Sequence, residues 1–200
     1  MQKTWGEIKN ETLNLGFEKS NVYAKNKESF IGAYNWAQNY IAVVTGSVIG
    51  TLDLEKKACK LPVMRDLSEL AEEDGKTFLS VADNGIIDKA TGKKLNDIQL
   101  RNNRYLIMPA EHDGDITVWY VHSPEPITSS SADNTVCELP YKWATLMPYY
   151  MANRLFMDDD AGKAGYYWNL AEDMRREIAA QENSLSVTVV GGIDIDGWCI

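Results

Sequence analysis

The spacing of apolar residues changes repeatedly along the chain, and each change predicts a new element. Trp5, Ile8, Thr12 and Leu15 fall on one helical face. Thr4-Trp5-Gly6-Glu7 ahead of them fits a capping box, in which Thr4 caps and Glu7 reaches back. Gly16 is the expected stop, and the polar stretch Ser20 to Lys27 reads as a loop. A longer helix is predicted from about Lys27 to Val44, where Phe30, Ile31, Tyr34, Ala37, Ile41 and Ala42 recur at helical spacing.

From about Val48 to His122 the period shortens to two. Thr51 to Glu55 alternates as a half-buried strand does. Phe78-Leu79-Ser80-Val81 is a short strand closed by the turn pair Asn84-Gly85. Tyr105 to Met108 and Ile116 to His122 are two more, and the turn residues His112 to Asp115 between them predict a hairpin. A linker rich in proline and serine follows. Helical spacing resumes at Leu139-Pro140, with Trp143, Met147, Tyr150, Met151 and Leu155 near one face. Pro148 lies inside this segment and is expected to kink it. Asp158-Asp159-Asp160 precedes a last helix, Ala161 to Glu182, striped by Ala164, Tyr167, Trp168, Ala171, Met174 and Ile178. Glu172 and Arg176 are spaced for an ion pair along that helix.

After residue 183 the pattern alternates again. Leu185, Val187 and Val189 are separated by Ser186 and Thr188, and Gly191-Gly192 leads to Ile193, Ile195 and Trp198. The predicted fold is therefore α+β: a four-helix core (two N-terminal and two C-terminal helices), a central antiparallel β insertion and an extended strand-like C-terminal arm. The divisions are 1–46, 47–126, 127–182 and 183–200. The expected helical core is Trp5, Ile8, Phe30, Tyr34, Ile41, Trp143, Met147, Tyr150, Tyr167, Trp168, Met174 and Ile178. The arm either returns to its own β insertion or seeks an edge on another molecule.

Charge narrows the class of partner. The net charge is −9, and residues 105–200 hold five Lys or Arg against fifteen Asp or Glu. Such a surface does not grip nucleic acid through phosphates. Cys59, Cys137 and Cys199 are odd in number and widely spaced, which fits free thiols in a reducing compartment better than a disulfide framework. No apolar stretch approaches membrane-spanning length and no leader pattern opens the chain, so the expected setting is inside a cell, away from membranes.

Catalytic motifs are sparse: none of the serine-elbow, phosphate-loop, dinucleotide or zinc-protease patterns occurs. His112 and His122 are read as turn and strand-end residues, since a zinc site requires further ligands. Asp158–Asp160 reads as a helix cap before it reads as a cation site, and Asp194-x-Asp196-Gly197 lacks most of a calcium loop. No catalytic, cofactor or metal residue is assigned, and the chain is expected not to be an enzyme. Tyr149, Tyr150, Tyr166, Tyr167 and Trp168 suit core packing better than base stacking, which would need a basic partner patch.

The order of these features, and the stretches Ile116 to Pro124, Cys137-Glu138-Leu139-Pro140, Leu146 to Met157 and Asp160 to Met174, resemble the head–tail connector (adaptor) proteins of tailed bacteriophages. The resemblance implies a ring, usually of twelve copies, docked under the portal protein and continuing the DNA channel to the tail. It implies as partners the portal, neighbouring copies and the next tail or stopper protein. DNA would pass without specific binding. It also implies that the C-terminal segment meets the portal, here through Leu185, Val187, Val189, Ile193, Ile195 and Trp198. The expected location is the virion neck, and the host cytoplasm during assembly. Two other readings stand: a tail-completion or tail-terminator ring, and a ligand-binding β insertion, for which Trp119 and Tyr105 are the aromatics to test.

Overall fold

The computed structural model describes residues 2–17 and 22–193, with the side chains of Asn84 and of 183–193 left aside. In chain order the elements are α1 (Trp5–Asn14), α2 (Val22–Lys25), α3 (Lys27–Thr45), β1 (Ile49–Lys56), β2 (Val63–Asp66), α4 (Leu67–Glu73), β3 (Phe78–Asp88), β4 (Gln99–Arg101), β5 (Tyr105–Met108), β6 (Gly114–His122), α5 (Tyr141–Ala144), α6 (Met147–Phe156) and α7 (Ala161–Ile193). The fold is mixed helix and strand with antiparallel sheets. It divides into two compact units: residues 1–38 with 126–200, and residues 39–125. Among the described residues no helix is long and apolar enough to cross a membrane.

The first unit is helical. At its start the capping box closes: the Thr4 side chain accepts from the Glu7 N–H, and Glu7 accepts from the Thr4 N–H at 2.8 Å. The N–H groups of Trp5 and Gly6, orphaned at any helix start, donate to Thr135 and Asp133 carbonyls at 2.8 Å each. Gly6 is required there, because a Cβ would stand 2.9 Å from the Asp133 carbonyl oxygen. Trp5, Ile8, Phe30, Tyr34, Trp143, Met147 and Tyr150 are buried. Trp5 meets Tyr34 edge-on at 5.0 Å. Tyr167, Trp168, Met174 and Ile178 on α7 are half-buried. The buried Asn153 side chain donates to the Ala164 carbonyl at 2.9 Å, and the Tyr150 hydroxyl donates to Glu172 at 2.7 Å, so polar bonds tie α6 to α7.

Pro148 does not kink a long helix. It is the second residue of α6, where its missing N–H costs nothing, and α5 is a separate turn before it. The pairing of Glu172 with Arg176 is replaced by Glu172–Arg175 at 2.7 Å and Asp173–Arg176 at 3.2 Å. The arm is corrected too. Helix α7 continues through Ile193, so Leu185, Val187, Val189 and Ile193 lie on helical backbone rather than a strand. Extending an existing helix avoids the nucleation cost, and each β-branched residue opposes it by only about 0.5 kcal/mol. Ile195 and Trp198 lie outside the described residues.

The second unit holds two three-stranded sheets, β1-β6-β3 and β2-β5-β4, and Ile41 at the end of α3 is buried. Leu52, Leu67, Ile86, Leu106, Met108, Ile116, Val118 and Tyr120 form one apolar cluster from both sheets and α4. The expected hairpin between residues 105–108 and 116–122 does not form, because β5 and β6 belong to different sheets. The nine-residue β6 is buried along most of both faces and takes the two long strands as neighbours; four-residue β5 could not match it. Asn84-Gly85 does not end a strand either. Gly85 sits at φ +69° within β3, where the register with β6 shifts between Val81 and Ile86 as a bulge.

Asp66 joins β2 to α4. It accepts from the Ser68 N–H at 3.0 Å and takes Arg104 Nε at 2.8 Å. The Arg104 guanidinium, and then the Ser68 N–H, hold its carboxyl below the usual aspartate range.

Replacing Thr4 with Ala removes the cap and is expected to cost about 1 kcal/mol, measured by urea unfolding. The depressed Asp66 carboxyl contributes stability that is complete above the unfolded value near 4 and is lost as pH falls through the folded value. An Asp66→Asn variant should therefore be less stable at neutral pH and show a shallower acid decline below about pH 4. An unchanged acid limb in unfolding titrations would contradict this.

Candidate interaction surface

The groups weighed for chemistry do not converge. His122 Nδ1 lies 2.9 Å from the Ser123 carbonyl oxygen, and His112 sits half-buried in the turn before β6. Cys59 is exposed, and Cys137 is buried, which pushes its thiol up. Asp160 accepts from the Lys163 N–H at 3.0 Å and so caps α7; that bond holds its carboxyl below the usual range. Among the described residues no group of three or more His, Cys, Asp or Glu could hold a metal ion. Asp194 and Asp196 lie outside them. Trp119 and Tyr105 are half-buried strand residues, with Arg104 5.3 Å from the Tyr105 ring. Of the tyrosines near the C-terminal helices, Tyr150 is buried and Tyr166 is exposed.

A groove of about 380 Å³ lies between α3 and α6 in the helical unit. Trp36 and Gly32 supply its α3 wall, and Arg154, Met157 and Asp158 its other side. No atom lies within 4 Å of where a Gly32 Cβ would stand, so the missing side chain leaves that wall open. Helical spacing turns Phe30, Tyr34 and Ala37 into the core and leaves Trp36 half-buried at the groove. The Trp36 ring is braced by Tyr150 at 6.4 Å. The Arg154 guanidinium stands 5.8 Å from the Trp36 ring, and its Nη1 is 3.5 Å from Met157 Sδ.

Electrostatics single out Arg154. Of the five cations in residues 105–200, Lys142 pairs with Glu182, Lys163 with Asp160, Arg175 with Glu172 and Arg176 with Asp173. Arg154 alone has no carboxylate within ion-pair distance among the described residues. A Trp platform beside an unpaired Arg, in a concave wall with an exposed Met157, is the composition that anchors protein contacts. Neither Trp36 nor Arg154 stood out in sequence. The available signal was a tryptophan off the core-facing stripe of a long helix.

The sequence matches no protein-family model and no curated protein.

Because Arg154 is exposed and holds no ion pair, Arg154→Ala should leave stability within about 0.5 kcal/mol of the parent. Tyr150→Phe, which strips Glu172 of a buried partner, should cost about 1 kcal/mol. Thermal unfolding of the two variants checks the contrast; equal losses would make Arg154 a structural residue.

Proposed function

We propose that the chain is a structural virion protein, a head-to-tail adaptor that forms a ring under the portal and continues the DNA channel toward the tail. The observation that supports the reading is that one helical unit is built from residues 1–38 and 126–200, with an antiparallel β unit inserted between them in sequence. The stretches behind the resemblance fall on defined elements of the chain. Ile116 to His122 is the central strand β6, Cys137 and Leu139 are buried ahead of α5, residues 146–157 carry α6, and residues 160–174 open α7.

In this reading α1, α3, α6 and α7 form the four-helix body of each ring subunit. The β unit faces the next tail or stopper protein. Residues 184–200, of which 184–193 belong to α7, meet the portal. The negative surface keeps passing DNA from adhering, since acidic walls repel phosphates. The chain does no chemistry of its own; its work is assembly at the virion neck, after synthesis in the host cytoplasm.

The test is capture of the tagged chain from a lysate in which virions assemble, with bound material imaged by negative stain. Portal rings carrying an extra tier are expected. Tail tubes without portal would move the protein to tail completion. A chain truncated after Asn183 should fold but lose portal; retained portal would end the proposed role of residues 184–200.

A further inference from the structure

A second surface stands out by charge. From Lys57 to Arg65 the chain reads Lys-Ala-Cys-Lys-Leu-Pro-Val-Met-Arg, with three cations and no acid in a protein of net charge −9. Nearly all of it is exposed; Leu61 is 74% and Met64 62% accessible. Pairing in the smaller sheet sets Met64 beside Ile107, which faces Gln99, and Arg65 beside Leu106, which faces Leu100. Lys60, Arg65 and neighbouring Arg101 have no carboxylate within ion-pair distance among the described residues. This is an apolar tip with free cations at Lys60, Arg65 and Arg101, while Lys57 pairs with Glu55 at 3.5 Å.

The apolar tip argues against a phosphate ligand. Leu61 and Met64 gain nothing from a nucleic-acid backbone, whereas exposed apolar side chains rimmed by charge mark protein contact. The chain itself offers the complement. The α3–α6 groove has an aromatic wall at Trp36, an exposed Met157 and a carboxylate, Asp158, beside Arg154 in its lining, with the exposed Asp159 next along the chain. Neither acid has a cation partner among the described residues. A cationic tip cannot pair with its own copy in a second molecule. Tip and groove are different surfaces, so their union is heterologous, a contact that builds a ring where the rotation between copies closes and an open filament where it does not.

We infer that the Lys57–Arg65 tip of one copy docks into the α3–α6 groove of a second copy. Leu61 and Met64 enter against Trp36, while Lys60 and Arg65 meet Asp158 and Asp159. Arg154 then finds acceptors in the backbone carbonyls of the incoming loop. The inference rests on the ring reading above and names the contact between ring neighbours.

Sedimentation of the full-length chain across a concentration series, at low and high salt, tests it. Self-association that weakens with salt is expected. Lys60→Glu with Arg65→Glu should weaken it about tenfold or more, as should Asp158→Lys with Asp159→Lys, and the four changes together should restore it. All four positions are solvent-facing, and circular dichroism confirms that the variants fold. A chain that stays monomeric throughout, association indifferent to both pairs, or no recovery in the combined variant overturns the inference. So does binding of a labelled DNA duplex that the tip variant abolishes while self-association is unchanged. Portal capture by chains that fail the swap would sink this contact alone and leave the adaptor reading standing.

Discussion

Backbone pairing between the first residues of the chain and the segment just past the β unit is the constraint on which the helical unit depends. Trp5 and Gly6 donate to Thr135 and Asp133, and Cys137 donates to the Lys3 carbonyl at 2.9 Å. These bonds satisfy the start of α1 and pin the segment that launches α5 in one stroke. They also place Cys137 and Leu139 in the core, so that α6 begins where Met147 and Tyr150 can be buried. An insertion as large as residues 39–125 is tolerated because loop closure costs rise only slowly with length, provided the two ends are held. Gly6, where any side chain would strike the Asp133 backbone, is the local condition of that hold.

The β unit obeys a different rule. The nine-residue β6, apolar and buried along most of its length, is central in its sheet with β1 and β3 on its two edges. Its neighbours therefore come from far apart in sequence, and the shorter β5 is released to organise a second sheet with β2 and β4. That second sheet leaves its edge strands thinly covered, which is why an apolar and cationic tip can exist beside a sound core.

Helices were legible where the local pattern and the caps agree. Thr4 with Glu7, the start of α3 at Lys27 and the start of α7 at Ala161 are all written in a few adjacent residues. Strand positions were legible in part, but partner choice was not. Turn chemistry at His112 to Asp115 permits a hairpin, and only the length and burial of β6 against β5 decide otherwise. The segment after residue 183 misled because alternation in serine and valine is only a weak preference, and an established helix can run through it. The candidate groove was hidden for another reason. It is assembled from α3 and α6, more than a hundred residues apart, and its key residues are those that the core did not take.

The proposed function draws on these constraints. Residues 1–38 and 126–200 give a helical unit, the inserted unit carries an apolar and cationic tip, and a groove with Trp36, Arg154 and Asp158 in its lining lies between α3 and α6. In the proposed reading these surfaces serve assembly, the tip of one copy meeting the groove of the next. The most direct test of the neck assignment is gold-labelled antibody against the chain, applied to particles from a producing culture and viewed by electron microscopy. The account predicts gold at the junction between head and tail. Particles left unlabelled there, with the chain remaining in the free protein fraction, would contradict it.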